Sequence, residues 1–400
     1  MASARTTTPP VRRRPGADFA ERLNLPYMDG VLMGGTLGLI VFGLFTLGVA
    51  TTNDIPGDPL HFVVRQAAYC IIGLVLLFAL ARIDYSRFRE LRVGIYSLMV
   101  ASITIVLMFG AAARGSRRRI ELPFFGFQPS EFGKVLLIVA LSAFVIERVR
   151  RGSDVRRTIR ILILGLAPTA LIFLQPDLGT AIVFGVITLA ALFISGTKWT
   201  HFAAMGAVAA ILAVMALVVA PAVGVPLLRG YQKERLTSFL HPSNDPSNSS
   251  YQINQALIAV GAGGKTGRGG QATQTDLDFL PERHTDFIFA VIGERFGFAG
   301  AALVLSLYAL LVWRALRIMK MSKNLYGTLI AGGIAAMLMF QVFVNIGVNI
   351  GIMPVTGVTL PLLSYGGSSV IATLLAIGLL QSIHVQSQLN PPSRARPLLI

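Results

Sequence analysis

The chain has 400 residues, 54% hydrophobic and only 14% charged, with a mean hydropathy of +0.67. A soluble domain carries about 25% charged residues, so this composition excludes an ordinary soluble fold and points to a polytopic membrane protein. The net charge of +16 is scattered over many short connections rather than gathered on one face, which excludes a nucleic-acid partner in favour of membrane topology.

Residues 1–24 read as a disordered basic tail, VRRRPGADFAERLN at its end, with no small-residue cleavage site before the first apolar run. A single transmembrane domain is expected over 25–388, followed by a tail at 389–400. Apolar segments recur at 28–52, 62–81, 93–111, 132–146, 159–174, 178–195, 202–220, 287–313, 325–348 and 362–383. The lone cysteine, Cys70, lies inside the second, so there is no disulfide framework. Gln175-Pro176-Asp177 splits 159–195 into two helices, because a proline and a carboxylate are costly at the bilayer centre and suited to an interfacial turn. With that division, both tails and the basic connections at 82–92, 147–160, 198 and 314–323 share one side, the cytoplasm. The expected fold is all-α: ten transmembrane helices, both termini cytoplasmic, and a large extracellular loop, 221–285, between the seventh and eighth.

The outer ends of the spans collect the chemistry-bearing residues. His61 and Arg65 open the second span. The connection GSRRRIELPFFGFQPSEFGK, 115–134, puts Arg117, Arg118 and Arg119 outside beside Arg114, against the positive-inside tendency. Short loops tolerate such exceptions; alternatively the guanidinium forks meet a lipid phosphate or pyrophosphate. Glu131 and Lys134 are one helical turn apart, either facing one cavity or forming a simple ion pair. Asp177 sits in QPDLGT at the outer interface. GAGGKTGRGG, 261–270, lacks the G-x-x-x-x-G-K-[ST] pattern of a phosphate loop and reads as a lid or turn.

LPERHTDFIFAVIGERFG, 280–297, is the densest charged stretch. Thr285 or Asp286 suits a helix N-cap. Glu294 and Arg295 lie two turns further in, where capping does not explain them, and groups at that depth should face a polar cavity or each other. MPVTGVTLPLLSYGGSS, 353–369, feeds the last span; its small residues suit helix packing first and a lining role second. No Ser-His-Asp order, HExxH box or Cys/His metal set appears. The residues alone lead to an outward-facing polar cavity for an anionic, lipid-like substrate. Asp286 stands at its rim, where a carboxylate can take a proton from a hydroxyl nucleophile.

Read as an ordered set, Arg65-Gln66, QPSEFGK, QPDLGTA, YQ with its glycine-rich sequel, PERHTDFIFAVIGERFG and PVTGVTLPLLSYGGSS closely resemble the SEDS family (shape, elongation, division and sporulation) across nearly all the chain after the tail. The resemblance implies a glycosyltransferase of ten helices that polymerises lipid II into glycan strands on the outer face of the bacterial cytoplasmic membrane, releasing undecaprenyl pyrophosphate. It makes Asp286, the aspartate of the HTDF motif, the essential residue, for which the general-base role is expected, and it matches Arg65, Glu131 and Lys134 to family positions. With the outer polar residues read above, the expected substrate-binding set is Arg65, Arg118, Glu131, Lys134, Asp177, His284, Glu294 and Ser364. PERHTDF and PVTG are more similar to the RodA branch, which serves elongation, than to the FtsW branch, which serves division. Where the family reads Arg-Trp, this chain has Arg118-Arg119, so the tryptophan's role does not transfer. The implied partners are lipid II, membrane lipids and a class B penicillin-binding protein; no cofactor is certain, and Mg or Mn could share the pyrophosphate. A lipid II flippase and a scaffold for the transpeptidase are the competing readings.

Overall fold

A computed structural model describes residues 27–389, apart from 53, 110, 114–115, 122–124, 150–153, 216–218, 220–247 and 278. The expected tails, most of the large loop, and the side chains of Arg114, Arg117, Arg118 and Arg119 lie outside the described residues. The helices are α1 (Gly30–Ala50), α2 (His61–Arg82), α3 (Arg92–Phe109), α4 (Pro129–Val149), α5 (Asp154–Leu174), α6 (Leu178–Ile194), α7 (Trp199–Val214), α8 (Asn248–Ala262), α9 (Thr273–Asp276), α10 (Ile288–Met321), α11 (Leu325–Asn349) and α12 (Gly367–Leu389).

Each of the ten expected apolar segments coincides with a helix. Eight of these, α1 to α5 and α10 to α12, are long and apolar enough to cross a membrane. The other two, α6 and α7, have 17 and 16 residues. At ~1.5 Å per residue α6 reaches about 25 Å, against a ~30 Å hydrocarbon core, and α7 runs up to residues 216–218, which lie outside the described residues. The break between α5 and α6 falls at residues 175–177, where the proline and aspartate require it.

Three expectations need correction. The chain is mostly helical rather than all-α, because residues 111–127 form a small antiparallel sheet. Its strands, in order, are β1 (Ala111–Ala113), β2 (Ser116–Glu121) and β3 (Gly126–Phe127). Arg119 pairs across from Ala111, and Ile120 from Phe127. The last helix begins at Gly367 rather than near 362, because Pro361 and the positive φ of Leu362 hold the preceding residues out of helix. Finally, α10 runs on to Met321 and is broken inside at Gly297, whose φ of 63° leaves the helical region.

Packing puts α12, α4 and α11 at the centre: their apolar stretches are 94%, 78% and 72% buried, against 17% for α3 at the periphery. Helix α12 packs chiefly on α2, and α10 on α11 and α1. At the end of the bundle opposite the motifs, Asp29 caps α1 by accepting from the N–H of Leu32 at 2.9 Å. The same carboxylate pairs with Arg314 of α10, and the Asp29 backbone exchanges hydrogen bonds with the Gln381 amide of α12. Three helices are locked there by one buried, fully partnered charge.

Candidate active site

The motifs singled out in the sequence meet around the connection from α11 to α12, residues 350–366. Several backbone carbonyls of this connection are met by different helices. The Thr356 carbonyl lies so close to Gly179 of α6 that a Cβ there would sit 2.5 Å from it. The Val358 carbonyl accepts from Asn345 of α11 at 2.9 Å, and the Pro361 carbonyl from the Tyr308 hydroxyl of α10 at 2.5 Å. Gln66 of α2 is buried and staples both sides of the tight LSYG turn: its amide donates to the Ser364 carbonyl at 3.0 Å and accepts from the Gly366 N–H at 3.2 Å. Buried backbone carbonyls need such partners, so the connection is held without being helical.

This turn holds the start of α10. Ser364 donates through its hydroxyl to the Thr285 carbonyl at 2.6 Å while accepting from the Leu360 N–H at 2.9 Å. The Tyr365 N–H donates to the His284 carbonyl at 2.8 Å. The His284 ring lies 5.2 Å from Phe62 and 6.0 Å from Tyr365, and its Nδ1 is 4.0 Å from Asp54. Arg283 pairs with that same Asp54 and donates to the Ala50 carbonyl at 2.8 Å.

Asp286 is half-buried at the mouth of α10. The capping expectation is corrected here: the helix begins at Ile288, with Phe287 as an N-cap that makes no side-chain cap bond. The cap comes instead from another helix, since Asn349 Oδ1 of α11 accepts from the Ala290 N–H at 2.9 Å. The Asp286 carbonyl, turned off the helix axis, accepts from Asn345 at 2.9 Å and from Asn349 at 3.0 Å. Its carboxylate faces Gly357: a Cβ built there would lie 3.9 Å from Oδ2.

A second polar group lies at the starts of α4, α6 and α12. Asp177 is buried; it caps α6 through the Thr180 N–H at 3.2 Å and accepts from the Gln128 amide at 3.3 Å. The Gln128 N–H donates to Ser368 at 3.0 Å, and Ser368 donates to the Gly126 carbonyl at 2.7 Å. One turn into α4, Lys134 and Glu131 form a buried pair at 2.7 Å. Arg65 is half-buried one residue before Gln66, within electrostatic reach of Tyr69.

Glu294 stands apart from this group. It is fully buried and accepts from the N–H groups of Gln274 (2.8 Å) and Thr275 (3.0 Å) and from the Thr275 hydroxyl (2.7 Å). Arg295 reaches the carbonyls of Gly269 and Val49. The two charges therefore bind α9 and the glycine-rich segment rather than each other. That segment wraps the break in α10: the Arg268 N–H donates to the Glu294 carbonyl at 2.8 Å, and the Phe298 N–H to the Gly264 carbonyl at 2.9 Å. The helix's interrupted hydrogen bonds are completed by this strap.

Sequence reasoning missed Asn345, Asn349, Gln66 and Gln128. The signal for the asparagines was present: Gln341, Asn345 and Asn349 recur every four residues in an apolar span, one buried polar stripe down α11. Two shallow apolar grooves, about 450 Å³ along α3 and about 510 Å³ between α1 and α10, contain none of the site residues. Among the described residues, no three His, Cys, Asp or Glu side chains gather as a metal-holding group.

A family profile for FtsW, RodA and SpoVE, described as "Cell cycle protein", matches residues 28–389. The chain is 35% identical to the peptidoglycan glycosyltransferase MrdB of Escherichia coli (strain K12), covering 91% of this chain and 96% of that one. It is 36% identical to a probable peptidoglycan glycosyltransferase FtsW of Thioalkalivibrio sulfidiphilus, covering 94% and 93%. Among solved structures, it aligns at a TM-score of 0.76 and 33% identity with a chain reported under "Structural coordination of polymerization and crosslinking by a peptidoglycan synthase complex", covering 91% and 99%. The rod shape determining protein RodA of Thermus thermophilus aligns at 0.65 and 30% identity, covering 89% and 96%. With a profile spanning the bundle from α1 to α12 and relatives this similar over most of its length, the chain belongs to the SEDS family of FtsW, RodA and SpoVE proteins.

Proposed function

We propose that the protein is a peptidoglycan glycosyltransferase that joins lipid II into glycan strands, with Asp286 as general base. The observation that carries this reading is the division of labour at the mouth of α10. Asn349 supplies a cap to the Ala290 N–H, and the Asp286 carboxylate lies beside Gly357 of the α11–α12 connection. The carboxylate takes the proton of the acceptor's GlcNAc 4-hydroxyl. That oxygen attacks the donor's anomeric carbon, and the bond to the pyrophosphate oxygen breaks with inversion, releasing undecaprenyl pyrophosphate. A positioned base supplies ~10²–10⁴-fold. The remainder falls to substrate positioning and to cations around the departing pyrophosphate, for which Arg65, Lys134 and Arg118 are the candidates.

In this reading the ten apolar helices all cross the bacterial cytoplasmic membrane, both termini are cytoplasmic, and Asp286 faces outward. The basic connections and the clustering of the family motifs at one end of the bundle support that orientation. A class B penicillin-binding protein is the proposed partner; the likeness to a chain of a peptidoglycan synthase complex supports it. The PERHTDF and PVTG wording supports an elongation role of the RodA type.

The test is reconstitution. Purified protein in detergent, given lipid II alone or with its transpeptidase, is expected to yield glycan strands visible on gels. Movement of lipid II across liposomes without any strand formation would instead identify a flippase and overturn the proposal.

A further inference from the structure

We propose that Asn345 is a positioning residue for Asp286, tying it to the α11–α12 connection; this rests on Asp286 being the base. The Asn345 amide nitrogen has two hydrogens and uses them on two different segments. It donates to the Asp286 carbonyl at 2.9 Å and to the Val358 carbonyl at 2.9 Å. Val358 adjoins Gly357, the residue that the Asp286 carboxylate faces. One buried side chain, only 2% exposed, therefore bridges the backbone of Asp286 and the backbone beside its carboxylate.

Helix geometry explains why the support comes from α11. Ala290, whose N–H would reach the Asp286 carbonyl in a regular helix, bonds to Phe287 and Asn349 instead. The released carbonyl is gripped by two amides four residues apart on one face of α11. The two are not equivalent. Asn349 serves the helix end and touches no part of the connection through its recorded bonds, which go to Asp286, Ala290 and Asn345. Asn345 bonds to both Asp286 and Val358.

That asymmetry makes the role testable. In Asn345→Leu, the Asp286 carbonyl keeps Asn349 and the turn keeps its bonds to His284 and Thr285, so the start of α10 stays partnered while the bridge from Asp286 to Val358 is removed. Small displacements of a reacting group cost up to ~10²-fold. The expected result is a kcat at least about tenfold lower, with KM for lipid II within about twofold and an intact monodisperse fold. The second arm repeats the substitution in an Asp286→Asn background. A residue acting through Asp286 costs no further rate there, whereas a general packing defect lowers both backgrounds equally. Equal losses, or an unchanged kcat in Asn345→Leu while Asp286→Asn is inactive, would overturn the positioning role and leave the base intact. Wild-type turnover by Asp286→Asn would overturn the base, and the positioning role with it.

Discussion

Glu294 of α10 holds Thr275 of α9 by two hydrogen bonds, 3.0 Å from the backbone N–H and 2.7 Å from the hydroxyl. With the Gln274 N–H as third donor, the carboxylate acts as a cap delivered from a neighbouring helix. A charge that the sequence assigned to substrate is engaged through these contacts in fastening the segment 263–277 to α10.

Removing that clamp should cost stability first. Hydrogen bonds to a charged group are worth ~1.5–3 kcal/mol each, so Glu294→Ala is expected to lose about 3 kcal/mol or more. Glu294→Gln keeps an acceptor and should lose less. Thermal unfolding in detergent reads the difference, and limited proteolysis should find new cuts within 263–277 in the alanine variant. An unchanged unfolding midpoint for Glu294→Ala would contradict the clamp.

The buried Lys134–Glu131 pair separates structure from chemistry. Lys134→Met leaves Glu131 uncompensated and should cost ~3–5 kcal/mol. Adding Glu131→Gln should recover most of that stability. If Lys134 also serves the departing pyrophosphate, the double variant stays slow although well folded. Wild-type polymerisation by a stable double variant would remove Lys134 from the mechanism.

Helix α6 offers an internally controlled test of how closely the connection is packed. A Cβ at Gly179 would lie 2.5 Å from the Thr356 carbonyl, whereas one at Gly185 meets nothing within 4 Å. Gly179→Ala must push the connection away from α6 and should reduce turnover and stability together. Gly185→Ala should be neutral or stabilising by ~0.5–1 kcal/mol, since glycine is a poor helix former. Comparable unfolding midpoints and rates for the two variants would mean that the close approach does not matter.

The helices were legible because apolar runs of bilayer length leave few alternatives, and the 175–177 break because a proline and a carboxylate together forbid a continuous span. The break inside α10 was not: a single Gly297 in an apolar run reads as a tolerated helical glycine, and only the strap folded against it fixes its φ at 63°. Asp286 could be singled out from its charge-rich setting, but its capping role could not be judged. The group that replaces it, Asn349, is 63 residues away. The partners of Glu294 were hidden for the same reason, as its donors belong to a segment whose glycines gave no sign of where they would dock. Local pattern reveals which groups are costly to bury; it does not reveal which distant group satisfies them.

The most direct measurement is the lipid II polymerisation rate of Asp286→Ala beside wild type, with lipid II binding and thermal unfolding recorded on the same preparations. The account predicts a loss of at least ~10²-fold in rate, with binding and the unfolding midpoint close to wild type, because Asn345 and Asn349 hold the backbone of residue 286 whatever its side chain. A well-folded Asp286→Ala protein that polymerises at the wild-type rate would contradict it.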